Sequence, residues 1–123
     1  MAITESSILI IDDNEQIRES LELFLGRHFS DVTTLSSPNN LINTLENNSF
    51  DVILLDMNFS GGRYSGNEGI FWLKEILTRD KDAVVILITA YGKVELAINA
   101  IKEGAFDFIL KPWKNEKLLT TIK

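Results

Sequence analysis

A chain of 123 residues, 45% hydrophobic and 24% charged, has the length and balance of one globular domain with one core. Its formal net charge of −6 repels a phosphate backbone and argues against direct nucleic-acid binding by this segment. The sequence contains no cysteine, which excludes disulfides and thiolate metal sites, and no apolar run long enough for a membrane span. Its first residues lack the basic stretch and apolar core of a signal peptide, so a cytoplasmic protein with no membrane partner is expected.

Taken in chain order, two patterns alternate. The run Ile8 to Ile11 predicts a first strand, and Ile17, Leu21, Phe24 and Leu25 mark the apolar stripe of a first helix. Val32 to Leu35 gives a second, less apolar strand. Pro38 suits the first turn of a second helix, whose stripe is Leu41, Ile42 and Leu45. Val52 to Leu55 predicts the third strand, followed by a glycine-bearing loop from Asn58 to Gly69 and a helix striped by Ile70, Leu73, Ile76 and Leu77. Val84 to Ile88 predicts the fourth strand. Val94, Ala97, Ile98 and Ile101 form the expected buried stripe of the fourth helix, with Leu96 and Ala100 partly off it and Gly104 at its stop. Phe106 to Leu110 predicts the fifth strand, and a last helix starts near Asn115 with Leu118, Leu119 and Ile122 inward.

The strand runs are continuous rather than alternating, as in strands buried on both faces of a parallel sheet. Strand followed by helix, five times over, predicts a doubly wound α/β fold: five parallel strands in the order 2-1-3-4-5 with five helices, flavodoxin-like. Residues 1–123 are read as one domain. A last helix that stops at Lys123 suggests an N-terminal module of a longer protein.

In such sheets ligands bind beyond the carboxyl ends of the strands. Asp12 and Asp13 follow the first strand, Asp56 ends the third, Thr89 ends the fourth, and Lys111 ends the fifth, followed by Pro112. Each has an ordinary reading: an acid can cap the next helix, a threonine can satisfy a strand end, a lysine can be solvated. Three acids on one rim are harder to explain that way, because two like charges about 4 Å apart repel by roughly 4 kcal/mol at an effective dielectric near 20. A divalent cation resolves the repulsion, and hard carboxylate oxygens suit Mg2+. A carboxylate can accept a phosphoryl group as an acyl phosphate, with a lysine supplying fixed positive charge and a hydroxyl donating to a phosphoryl oxygen.

The set Asp12-Asp13, Asp56, Thr89-Ala90 and Lys111-Pro112 resembles the bacterial response-regulator receiver domain across essentially the whole chain. The resemblance implies that Asp56 is the phosphoacceptor. It implies that Asp13 and Asp56 ligate Mg2+ directly, Asp12 through water, and Asn58 through its backbone carbonyl. Thr89 would be the switch hydroxyl, Lys111 the charged partner of the phosphoryl group, and Lys111–Pro112 a cis peptide. The donor would be a phosphohistidine on a sensor histidine kinase, or a small acyl phosphate. Partners would be that kinase, an output domain in the same full-length chain, and a second copy joined on phosphorylation. No enzymatic activity beyond the chain's own phosphorylation and dephosphorylation is implied. The wording around Thr89-Ala90-Tyr91-Gly92, Gly104-Ala105-Phe106-Asp107-Phe108 and Lys111-Pro112-Trp113 is similar to nitrogen-regulator-type proteins, whose receivers control an ATPase acting on the alternative sigma factor, sigma-54.

The chain departs from the family's pattern in two places, the loop after Asp56 and Phe108. The loop after Asp56 is long, and its Arg63 is a candidate contact for a phosphoryl oxygen. Phe108 stands where many receivers carry tyrosine. Tyr91 and Asn58 flank the phosphoryl position and bear on its lifetime. Expected readout is through the fourth helix, fifth strand and fifth helix, with Trp113 beside them and Trp72 as packing. A haloacid-dehalogenase-type phosphohydrolase would need a second acid two residues after Asp56, where Asn58 stands. A flavodoxin-like nucleotide binder would need a glycine-rich turn where Asp12-Asp13-Asn14 stands.

Overall fold

The computed structural model describes residues 4–12, 14–36, 41–48, 50–56, 67–90, 94–111, 118 and 121–122. Five strands and four helices alternate: β1 (Thr4–Ile11), α1 (Glu15–Leu25), β2 (Phe29–Leu35), α2 (Leu41–Asn47), β3 (Val52–Asp56), α3 (Asn67–Arg79), β4 (Val85–Ala90), α4 (Val94–Lys102) and β5 (Asp107–Lys111). Leu118, Thr121 and Ile122 are helical as well, within the fifth helix that the sequence predicts. The strands form one parallel sheet in the order β2-β1-β3-β4-β5, as expected.

Side chains alternate across a strand, so the sheet sends successive residues to opposite layers. Leu9, Ile11, Ile53, Leu55, Val85 and Leu87 pack with Leu41, Leu73, Ile76 and Ala100, the layer of α2, α3 and α4. Ile8, Ile10, Val52, Leu54, Ile86 and Ile88 pack with Leu21, Leu25, Leu118 and Ile122, the layer of α1 and the last helical residues. Both faces of the central strands are thereby dry. That is why their sequences read as unbroken apolar runs, and each fully buried leucine or isoleucine contributes roughly 2 kcal/mol.

Helix ends follow local chemistry. Asn14 caps α1, its Oδ1 accepting from the Ile17 N–H at 3.1 Å. At the end of α4, Ala105 N–H donates to the Ala100 carbonyl and Gly104 N–H to the Ile101 carbonyl, both at 3.0 Å. This is a Schellman closure, and it requires the left-handed φ of +116° that Gly104 adopts.

Three sequence readings need correction. β1 and β2 start earlier than their apolar runs, at Thr4 and Phe29. Parallel pairing of Thr4 with Phe29 and of Ser7 with Asp31 extends the sheet through mostly polar residues, and Phe29 alone makes no apolar run for patterning to register. The loop after β3 ends before Gly69, because α3 already begins at Asn67. A glycine costs a helix about 1 kcal/mol, and docking of Leu73 and Ile76 outweighs it. On α4 the buried face is rotated: Ala100 is fully buried, whereas Ile98 and Ile101 are 45% and 37% exposed. The helix is apolar on several sides, so periodicity alone does not select the face that meets Leu73 and Leu87.

Candidate functional site

Asp12 follows β1 directly and is fully buried. Its contacts include three hydrogen bonds. Its N–H donates to the Leu35 carbonyl of β2 at 3.1 Å, its Oδ1 accepts from the Asn14 N–H at 2.9 Å, and its carbonyl accepts from Arg18 Nη1 at 2.9 Å. Because Asn14 caps α1, Asp12 is not the capping residue of that helix.

Asp56 is the last residue of β3 and is only 1% exposed. The registers fix its place relative to the other candidates. Ile11 pairs with Leu55, so Asp12 and Asp56 are the next positions on neighbouring strands. Asp56 pairs with Ile88, and Thr89 comes next on β4. Thr89 pairs with Leu110 and Ala90 with Lys111, which brings the backbone of Lys111 to the same edge. Neighbouring strands lie about 4.8 Å apart, so Asp12, Asp56, Thr89 and Lys111 step across the carboxyl end of the sheet in the order β1, β3, β4, β5. Asp13, Asn58, Arg63, Tyr91, Pro112 and Trp113 lie outside the described residues.

Asp12 and Asp56 are the two buried charged residues among those described. Withdrawing a carboxylate from water costs several kcal/mol unless opposite charge compensates. The donors at this edge are hard oxygens. The chain's one histidine, His28, lies in the turn before β2, at the opposite edge. Among the described residues no three acidic or histidine side chains cluster, and the third expected acid is Asp13. The donor set of Asp12 and Asp56 fits Mg2+, which keeps several waters and takes one or two carboxylates.

Arg18 is a residue that the sequence reading passed over. A cation in the first turn of a helix opposes the helix dipole, and that mismatch is the signal that could have singled it out. A cavity of about 350 Å³ between α2 and α3 is lined by Leu45, Phe50, Ile53, Ile76 and Ala83. The ion pair Glu46–Arg79, 3.1 Å long, joins the two helices beside it. This cavity lies at the amino edge of the sheet, away from both buried acids. The exposed apolar residues Ile98, Ile101 and Phe106 lie on α4 and just before β5. No helix among the described residues is long and apolar enough to cross a membrane.

Five parallel strands in this order, with buried acids at their carboxyl edge, are the framework of a signalling receiver. Residues 8–123 match the response regulator receiver domain family, and the chain belongs to that family. The N-terminal receiver domain of a two-component response regulator from Bacteroides fragilis superimposes with a TM-score of 0.87. It is 47% identical, and the match covers 97% of this chain and 94% of that one. The response regulator protein PilR of Pseudomonas aeruginosa is 36% identical over 110 residues, which is 89% of this chain and 24% of PilR. The DNA-binding transcriptional regulator NtrC of Klebsiella pneumoniae is 32% identical over 113 residues, 92% of this chain and 23% of NtrC. The chain therefore spans about a quarter of the length of these two relatives.

Proposed function

We propose that this domain is a phosphorylation switch in which Asp56 accepts a phosphoryl group in the presence of Mg2+. The observation that carries the reading is the pair of buried carboxylates, Asp12 and Asp56, at the ends of adjacent strands. A carboxylate oxygen of Asp56 forms a bond to phosphorus as the bond from phosphorus to the donor breaks. The donor atom is an imidazole nitrogen of a phosphohistidine on a sensor histidine kinase, or the acyl oxygen of a small acyl phosphate. The product is an acyl phosphate on Asp56. Mg2+ held by Asp13, Asp56 and the carbonyl of Asn58, with Asp12 acting through water, would supply charge neutralisation for the incoming phosphoryl oxygens. Lys111 supplies a second positive charge, and Thr89 a hydroxyl that follows the phosphoryl group and reports its arrival. The domain turns over no other substrate, and it works in the cytoplasm.

The altered state leaves the site through α4, β5 and the last helix, toward an output domain in a longer chain and toward a second phosphorylated copy. Similarity to PilR and NtrC over about a quarter of their length supports an output domain and transcriptional control. An ATPase acting on sigma-54 is the form of that output implied by the resemblance around Thr89 and Lys111. Intact mass after incubation with a small acyl phosphate and Mg2+ tests the chemistry. The wild type gains one phosphoryl group and Asp56→Asn gains none; equal labelling of both would remove Asp56 from its role.

A further inference from the structure

Arg18 makes a bond that its position on the helix does not favour. It is the fourth residue of α1, half-buried, where the helix dipole disfavours a cation and a long side chain loses rotamer freedom. Its guanidinium nevertheless reaches back past the capping residue to the carbonyl of Asp12 at 2.9 Å. A bond from a charged donor to a carbonyl is stronger than a neutral one. That carbonyl belongs to the planar peptide unit leading from Asp12 into residue 13. The unit on the other side of Asp12 is tied to Leu35 of β2, and the Asp12 carboxylate is tied to the Asn14 N–H. With its carbonyl also held, the orientation of this buried acid is set from three directions.

The ordinary reading is a brace that stabilises the start of α1. Asn14 already performs that task, through its side chain to Ile17 and its carbonyl to the Arg18 N–H at 3.0 Å. We infer that Arg18 is a positioning residue for the acidic corner: by fixing the Asp12 carbonyl it aims the Asp12 carboxylate into the site and so raises affinity for a divalent cation. This rests on the Mg2+ reading given above. The two influences of Arg18 have opposite signs. Its positive charge alone would weaken binding of a second cation, so deleting that charge would tighten binding. Its tether holds the ligand in place, so deleting the tether loosens binding.

Calorimetric titration with Mg2+ of the wild type, Arg18→Met and Arg18→Lys separates the two, with circular dichroism to establish folding. Arg18→Met is expected to raise the Kd about tenfold or more, the usual effect of losing a residue that orients a metal ligand. Arg18→Lys, which keeps the charge and one donor, is expected to fall between. Phosphorylation of Asp56 in the Arg18→Met variant should be slow at limiting Mg2+ and recover at saturating Mg2+. An unchanged or lower Kd in the folded variants, even with reduced stability, would overturn the inference alone. If Arg18→Met does not fold, Arg18→Lys decides by the same criterion. A wild type that neither binds Mg2+ nor is phosphorylated would instead bring down the proposed function, and this inference with it.

Discussion

Asp56 on β3 is the register partner of Ile88 on β4, so the next residue on β4 is Thr89. One strand to the other side, Asp12 follows the pair Ile11–Leu55. The Asp56 carboxylate is thus flanked along the sheet edge by a buried acid and by the backbone of a hydroxyl residue. Hydrogen-bonded strands place these positions, which loops would hold less well.

This arrangement predicts a domain that is less stable without cation than its shape permits. Two carboxylates about 5 Å apart would repel by roughly 3 kcal/mol at an effective dielectric near 20, and Asp12 and Asp56 sit on neighbouring strands. Asp56→Asn removes one charge and keeps the outline of the side chain. Its thermal midpoint in EDTA is expected to exceed that of the wild type by several degrees. Mg2+ should raise the wild-type midpoint and leave the variant's nearly unchanged. A wild-type midpoint indifferent to Mg2+, with a variant no more stable, would dismiss the acid pair.

The rotated face of α4 makes two neighbouring substitutions diverge. Ala100 is sealed among Leu73, Leu87 and Ala105, so Ala100→Leu overpacks the layer and should cost about 1–3 kcal/mol in urea denaturation. Ile98 is 45% exposed, so Ile98→Lys should change stability by less than about 0.5 kcal/mol. The same Ile98→Lys variant should lose the proposed phosphorylation-dependent self-association, measured by analytical ultracentrifugation with and without a small acyl phosphate. Retained association would take Ile98 out of the readout face.

Gly104 joins α4 to β5 under two constraints. Its φ of +116° is one that residues with a Cβ rarely adopt, and an added Cβ would lie 2.6 Å from Leu77 Cδ1. The end of the Leu77 side chain can shift, so backbone strain outweighs the contact. Gly104→Ala should therefore lower unfolding stability by about 1–3 kcal/mol with an unchanged m value. Adding Leu77→Ala should not restore the loss. Full restoration would mean that contact, not conformation, selects glycine.

Much of the fold was legible because its central strands are dry on both faces: Ile8–Ile11, Val52–Leu55 and Val85–Ile88 announce themselves by composition. The placement of Asp56 and Thr89 followed, since a strand end is readable once the strand is. Sequence reading faltered where burial is one-sided or bonding is local. Phe29 and Asp31 extend an edge strand through backbone pairing with Thr4 and Ser7 that forms no apolar run. Ile98 and Ala100 exchange roles because α4 is apolar on more than one side. The bond from Arg18 to the Asp12 carbonyl spans six residues across a helix start, which no periodicity encodes.

Phe108 tests whether packing or hydrogen bonding carries the proposed change from the site to the face of α4 and β5. It is half-buried, pairs in register with Leu87, and packs against the layer containing Leu87, Ala100 and Ala105. That layer also receives the buried side of α4, so the ring can feel a shift of the helix through contact alone. A phenyl ring offers no hydrogen bond at its tip, so a step that required one would fail in the wild type. Phe108→Tyr should therefore leave phosphorylation-dependent self-association within about twofold of wild type, because its new hydroxyl can stay hydrated at a half-buried position. Phe108→Ala should weaken the association at least several-fold while Asp56 is still labelled, since a lost ring leaves a cavity beside Leu87 and Ala100. Strong impairment or enhancement by the tyrosine would instead assign the step to a polar contact.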